Sequence, residues 1–476
     1  MRLYNSLSRK IEEFVPLHDK KVGMYTCGPT VYSFVTVGNW RTYTLGDLLA
    51  RTLTYLGYDV DYVMNITDVG HLTGDNLGDA DTGDDRLEKA AQKEGRTAWD
   101  IAQYYADDFY QGYDKLHLTH PKIWCKATDH ISEQIHMVQQ IMDRGFAYVI
   151  ADGIYFDTAA YEDAGNTYGE LSNLTEIKEG ARVEPNPDKK NPRDFALWKF
   201  SAQGGSGPKR QMEWESPWGV GFPGWHIECS AMSAKYLGDQ FDIHAGGEDL
   251  RSTHHPNEIA QAEAATGKKP FVKYWVHGAF LTVDGGRMGK SLGNAYTIQD
   301  LEQRTYNPLA LRYFYLTGNY RKQLNFTWDG IAAAAEALNN LRDVVWRSKQ
   351  ETERTALSPE KQQKIDLYCN RFKAVLEDDV NMPEALAVVW EVAKSNLPGL
   401  DKADLLIDFD RVLGFGLADW QPEKVEIPET VVQLAADREL ARKDHDFTKA
   451  DQLRAQISQA GFEVQDTANG PTIKKI

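Results

Sequence analysis

KVGMYTCGPTVYSFVTVGNWRTYTLGDLLARTLTYLGYDVDYVMNI, residues 21–66, is the stretch on which the fold turns. Val22 and Met24 lie in an extended run that Cys27-Gly28-Pro29 interrupts. Gly38-Asn39 then leads into a segment with Leu45, Leu48, Leu49, Leu53 and Leu56 on one helical stripe. Gly57 closes that helix, and Tyr58 to Ile66 is a second apolar run rich in strand-forming residues. Strand, helix and strand in this order make a βαβ unit. It implies an α/β fold built on a Rossmann-type parallel sheet, whose ligands collect at the carboxyl ends of the strands.

Working outward, 476 residues exceed what one hydrophobic core serves, so several domains are expected. Residues 1–120 and 200–275 read as two halves of the Rossmann-type domain. Residues 121–199, with charged helical patterns, short strands and connections such as Glu184-Pro185-Asn186-Pro187, read as an inserted α+β segment. A junction over 276–320 leads to a helical bundle over 321–420, and 421–476 is a small closing module. In that module a helix carries Phe447, Ala450, Leu453 and Ile457, Gly461 stops it, and a hairpin turns at Asn469-Gly470.

The four cysteines, at 27, 125, 229 and 369, have no framework spacing, so reduced thiols or metal ligation are expected rather than a disulfide-stapled fold. No apolar run is long enough to span a bilayer and Met1 to Lys10 lacks a secretory stretch, which makes the cytoplasm the expected compartment and excludes a membrane partner. A net charge of -17 argues against a surface that is basic all over. From Gln433 to Ile476, however, seven Lys/Arg balance seven Asp/Glu, so any contact with nucleic acid is expected at this end.

In Thr253-His254-His255-Pro256-Asn257-Glu258, Pro256 fits the start of a helix, which sets His254 and Glu258 on the same side. Cys27 and Cys229 would complete a set of four zinc-compatible ligands. From the residues alone His255 could serve in place of His254, and each cysteine could be a small buried hydrophobe.

The surrounding text is more specific. Cys27-Gly28-Pro29-Thr30-Val31-Tyr32, Pro223-Gly224-Trp225-His226-Ile227-Glu228-Cys229-Ser230 and His244-Ala245-Gly246-Gly247-Glu248-Asp249, followed by the His254 segment, resemble the cysteinyl-tRNA synthetases over nearly the whole chain. The resemblance implies one Zn2+ per chain on Cys27, Cys229, His254 and Glu258, with His254 preferred to His255. It also places Gly28, Thr67 and Trp225 beside a bound cysteine. Size alone separates serine from cysteine by only roughly 1–3 kcal/mol, whereas a borderline-soft ion that grips thiolate and neglects hydroxyl discriminates far more strongly.

The class I signature H-x-G-H stands here as Thr36-Val37-Gly38-Asn39, and K-M-S-K-S as Arg287-Met288-Gly289-Lys290-Ser291. By resemblance Thr36, Asn39, Arg287 and Lys290 are the catalytic set. Gly38, Asn39, Asp249, Lys290 and Ser291 contact ATP, which is carried with Mg2+. Thr36 and Gly289 are departures that bear on rate. The implied reaction joins L-cysteine to tRNA(Cys) through cysteinyl-adenylate, with pyrophosphate as the first leaving group, by a monomeric enzyme. Asn307-Pro308-Leu309-Ala310-Leu311-Arg312-Tyr313 and Glu377-Asp378-Asp379-Val380-Asn381-Met382-Pro383 resemble the helical domain of these enzymes, and the tail their anticodon-binding module. In the tail Arg438, Arg442, Lys443, Lys449 and Arg454 are candidate phosphate contacts. Two alternatives are a cysteine-activating ligase with an amino-sugar acceptor, and a catalytically silent RNA-binding relative. The extended tail speaks against the first.

Overall fold

Lys21–Thr26 forms strand β1, with Val22, Met24, Tyr25 and Thr26 buried. Helix α1, Val37–Tyr55, starts at the Thr36 cap and buries Val37, Trp40, Leu45, Leu48, Leu49 and Leu53. Gly57, at φ 91°, turns the chain into β2, Asp59–Ile66, which lies parallel to β1 from Lys21↔Asp59 to Thr26↔Met64. These are the residues of a computed structural model that describes 1–70, 85–172, 186–201, 210–354, 356–422, 427–467 and 470–475. Glu184-Pro185 and Asn469, singled out above as a connection and a turn, lie outside the described residues.

The next strand of the sheet, β3, is Ile123–Lys126, parallel to β2. The sheet therefore runs past residue 120, where the insertion was expected to begin. Four residues are too few for their alternation to register in the sequence. A separate four-stranded antiparallel sheet follows, made of Ala147–Ile150, Gly153–Phe156, Phe195–Phe200 and Gly221–Pro223 around a core of Val138, Ile141, Ile154, Phe156 and Trp198.

The chain then returns to the first sheet through α2 (Trp225–Leu237), β4 (Phe241–Gly247), α3 (His255–Thr266) and β5 (Val272–Gly278). The five strands lie in the order β5-β4-β1-β2-β3, all parallel. Strands are added to one side of β1 first and to the other side later. The boundary between β1 and β4 is thus a topological switch point, where a crevice opens at the carboxyl ends of the strands.

After a short helix at Ile298–Gln303 come α4 (Leu309–Leu316), α5 (Trp328–Ser348), α6 (Pro359–Glu377), α7 (Met382–Lys394) and α8 (Gly399–Leu413). One fully buried ion pair ties them to the sheet. Arg312 of α4 donates to Asp47 of α1, to the Leu413 carbonyl at the end of α8, and to the Leu116 carbonyl. Asp47 also accepts from the Thr119 amide at 2.6 Å and from Arg51 Nε at 2.7 Å. Burial opposes its charge, but Arg312 and Arg51 hold its carboxyl below the usual range.

Met1–Asp419 forms one compact unit and Trp420–Ile476 a second. The second unit contains α9 (Glu429–Lys443), α10 (Phe447–Gln459) and an antiparallel hairpin of β6 (Phe462–Thr467) and β7 (Gly470–Lys475). Val431, Ala435, Ile457, Phe462 and Val464 form its core. Ala450, Leu453 and Ile457 are buried as expected, but Phe447 is 60% exposed. It occupies the first position of α10, and its ring stands 6.1 Å, centroid to centroid, from that of the neighbouring His445.

Replacing Arg312 by methionine leaves Asp47 with Arg51 as its remaining cation and the Leu413 and Leu116 carbonyls without their donor, so Arg312→Met should lower stability by about 3 kcal/mol, read from the urea midpoint. Adding Asp47→Asn should restore part of that loss.

Candidate functional site

The carboxyl end of β1 delivers Cys27, whose amide donates to the Ala245 carbonyl of β4 at 3.2 Å. The next amide, Gly28, donates to Asn65 Oδ1 at 2.8 Å. A Cβ on Gly28 would fall 1.7 Å from the Asn65 carbonyl oxygen, so only glycine lets the chain pass β2 here. Helix α2 begins after Gly224 and carries Trp225 and Cys229. Helix α3, with Pro256 in its first turn, follows His254 at its N-cap position and carries Glu258. One ligand atom from each of Cys27, Cys229, His254 and Glu258 lies within 4.8 Å of every other, and all four residues are buried. A tetrahedral ion with bonds of about 2.0–2.3 Å sets its ligand atoms roughly 3.5 Å apart, so this donor set fits one metal ion.

A second set of the same kind shares Cys27 and Glu258 and substitutes His244 and His255. His255 Nε2 is 3.4 Å from Cys27 Sγ, and its Nδ1 is 2.7 Å from His277 Nε2. His277 Nδ1 in turn is 2.8 Å from Ser6 Oγ. His244 Nε2 meets Glu258 Oε2 at 2.9 Å, and His254 Nε2 meets Glu258 Oε1 at 3.0 Å. Only the first set brings both sulfurs together.

The electrostatics of the pocket call for a cation. Burial disfavours charge on His254, but the Glu258 carboxylate and the Cys229 sulfur outweigh it and push its pKa up to about 10. Glu258, also buried, is lowered to about 2 by His244 and His254. Cys229 falls to about 7 despite its burial, through Cys27 and His254, whereas burial and the Cys229 sulfur drive Cys27 well up. Burial and neighbouring imidazoles hold His255 and His277 well below the usual range, so these two are neutral.

Around this cluster, the Thr67 hydroxyl accepts from Asn65 Nδ2 and donates to Glu228 Oε2, each at 3.0 Å. The Trp225 ring lies 4.4 Å from that of His254. Gly28, Thr67 and Trp225 therefore border the four ligands. The sequence reading missed Asn65, Glu228, His226, His244 and His277 as members of the pocket. His226, Glu228 and His244 stand in stretches already quoted for their resemblance, Asn65 lies near the end of the opening stretch, and His277 is the last residue but one of β5.

The nucleotide signatures also meet. Thr36 caps α1, and the amide of Val37 donates to the Tyr296 carbonyl at 2.8 Å. A Cβ on Gly38 would fall 2.9 Å from Cε of Met288, which places the second signature directly over the first. Lys290 Nζ donates to Ser33 Oγ at 2.6 Å and stands 5.1 Å from the centre of the Tyr32 ring. Arg287 and Ser291 are exposed. Asn294 donates to the Arg287 carbonyl at 3.1 Å and accepts from the Gly289 amide at 2.9 Å, a brace that motif reading does not reveal. Asp249 folds its carboxylate back over Gly247, where a Cβ would fall 2.3 Å from Oδ1.

In the second unit one expectation is corrected. Arg438 is buried with both terminal nitrogens on Asp466, at 2.9 and 3.0 Å, and Arg442 donates to the same carboxylate. Two guanidiniums hold Asp466 well below the usual carboxylate range. Lys443, Lys449 and Arg454 remain exposed.

Comparison with known proteins fixes the class first. The fold resembles Mycobacterium tuberculosis methionyl-tRNA synthetase in complex with methionyl-adenylate, with a TM-score of 0.56 and 15% identity over 82% of this chain and 88% of that one. It also resembles the agnB2 leucyl-tRNA synthetase of Agrobacterium radiobacter K84 in a ternary complex, with a TM-score of 0.58 and 12% identity over 85% and 84% of the two chains. Residues 13–336 match the family model for the catalytic domain of tRNA synthetases class I (C). Cysteine-tRNA ligase 1 of Burkholderia lata is 46% identical over 99% of this chain and 96% of its own length. The cysteine-tRNA ligase of Treponema denticola is 38% identical over the full length of both. The chain belongs to the cysteinyl-tRNA synthetase family.

In metal-stripped protein the His254–Glu258 pair should leave a pH signature. A raised His254 pKa gives stability that is complete below its ordinary 6.5 and lost as pH rises towards about 10. A lowered Glu258 pKa gives stability that is complete above its ordinary 4.5 and lost as pH falls towards about 2. The difference in Tm between metal-stripped wild type and Glu258→Gln should therefore be largest between pH 4.5 and 6.5 and shrink on both sides.

Proposed function

We propose that this chain is a cysteine-tRNA ligase that activates L-cysteine with Mg-ATP and transfers it to tRNA(Cys), using Zn2+ to select the thiol. The observation that carries this reading is the meeting, at one switch point, of a buried two-sulfur, imidazole and carboxylate cluster with both nucleotide signatures. Cys27, Cys229, His254 and Glu258 would hold the zinc. When bound, it supplies a borderline-soft Lewis acid that favours thiolate over hydroxyl.

The remaining work falls to side chains of the chain. Gly28, Thr67 and Trp225 enclose the amino acid beside the four ligands. Gly38, Asn39, Asp249 and Ser291 line the nucleotide. In the first step the cysteine carboxylate attacks the α-phosphorus, the bond to the β-phosphate oxygen breaks, and pyrophosphate leaves with its charge offset by Arg287 and Lys290. In the second, a ribose hydroxyl of the tRNA terminus attacks the acyl carbonyl and AMP departs. Neither step needs a nucleophile from the protein, and positioning with electrostatic stabilisation accounts for both.

By the same reading, residues 1–126 and 224–275 form the catalytic domain and 127–223 its insertion. The signature loop occupies 276–320, the helical bundle 321–420 and the anticodon-binding module 421–476. Four unpaired cysteines, three of them buried, suit a reducing cytoplasm, and the working form is a monomer.

Exchange of labelled pyrophosphate into ATP should depend on cysteine and should not be supported by serine. Cys229→Ser should lose stoichiometric zinc, read by elemental analysis, together with exchange. A variant that keeps both would overturn the assignment.

A further inference from the structure

Position 36 departs from the imidazole expected in the first nucleotide signature, and the geometry shows what occupies its hydroxyl. Thr36 Oγ1 lies 2.7 Å from Asn39 Oδ1 and accepts from the Asn39 amide at 3.4 Å. A hydroxyl has a single proton. Donated to the Asn39 side-chain carbonyl, that proton is no longer available to a phosphate oxygen. The same bond fixes the rotation of the Asn39 carboxamide. With Oδ1 turned back to Thr36, the NH2 group points away from the cap.

Its surroundings favour an anion. Asn39 is exposed in the first turn of α1, and that turn contains no acidic residue. Nineteen residues of helix direct a positive dipole to this end. The Asn39 NH2 has no hydrogen-bond partner among the described residues. On the side of the second signature, Met288 rests over Gly38 and the Tyr296 carbonyl takes the Val37 amide.

We propose that Thr36 is a positioning residue rather than a catalytic one: its hydroxyl orients Asn39 so that the carboxamide NH2 is presented to the phosphates of the nucleotide. This rests on the adenylate-forming reading above and deepens it. A permanently neutral donor held in place thus stands where a titrating imidazole is expected. The first signature then works as a two-residue unit in which Thr36 acts only through Asn39.

A double-mutant cycle tests this, with Thr36→Val, Asn39→Ala, the double variant and Thr36→Ser. Each is assayed by cysteine-dependent pyrophosphate exchange and by equilibrium binding of a non-hydrolysable ATP analogue, with Tm recorded. Thr36→Val should lower kcat for exchange about ten-fold, the worth of one hydrogen bond to a stabilising group, and Asn39→Ala at least as much. In the Asn39→Ala background, Thr36→Val should change exchange by less than about twofold. Thr36→Ser, which keeps both the cap and the proton, should stay within about twofold of wild type. Losses that add across the cycle, or a Thr36→Val enzyme as active as wild type, overturn the proposal. Loss of the helix cap alone would lower Tm and persist in both backgrounds. Wild type without cysteine-dependent exchange would sink the function instead, and the cycle in analogue binding would still decide the role of Thr36.

Discussion

A carboxylate and an ionised sulfur can share a buried pocket only if a positive charge stands beside them, because desolvated anions without a cation cost several kcal/mol each. The pocket at the end of β1 meets this constraint through His254, whose protonated state is stabilised by Glu258 and Cys229. The polarity is the one a divalent ion would satisfy more fully. The topology has to converge for this to happen. Cys27 follows β1, Cys229 comes from the helix before β4, and His254 caps the helix after it, which carries Glu258. Only a sheet in which β4 returns to the flank of β1 brings these segments within reach of one another.

The same arrangement aligns the signature-bearing start of α1 with the four-residue cluster. Helix α1 leaves from just beyond Cys27, so a single connection of residues 27–36 separates the sulfur from the Thr36 cap. At its other end the helix is fixed by Asp47 and Arg51 against the bundle, with Arg312 reaching across to the last turn of α8. The four-residue cluster, the capped start of α1 and the helical bundle are thus referenced to one rigid element. A displacement of α1 would be felt at all three.

The sequence conveyed the βαβ unit and the four side chains that cluster at its end for physical reasons. Leucines at helical spacing in α1 and two β-rich runs declare their periodicity locally. Cysteine, histidine and glutamate in signature surroundings are chemically conspicuous even when far apart in the chain. What escaped the reading depends on contacts that no local pattern encodes. Strand β3 is four residues long and is recognised only by its pairing with β2. Arg438 looks like any helix-surface cation until the hairpin folds Asp466 onto it. Thr36 and Asn39 were both singled out, but the bond between them, which reassigns the hydroxyl, is a matter of rotamers rather than of spacing. The rival quartet of His244 and His255 likewise appears only when β4 and α3 are packed together.

Gly38 has a further consequence. The thioether of Met288 lies against it, closer than a side-chain carbon on that residue would tolerate. Under the proposed nucleotide reading, an adenosine seated on this glycine would have to turn the methionine aside first. Capture would then have two stages, and the observed association rate should saturate with ligand concentration instead of rising in a straight line.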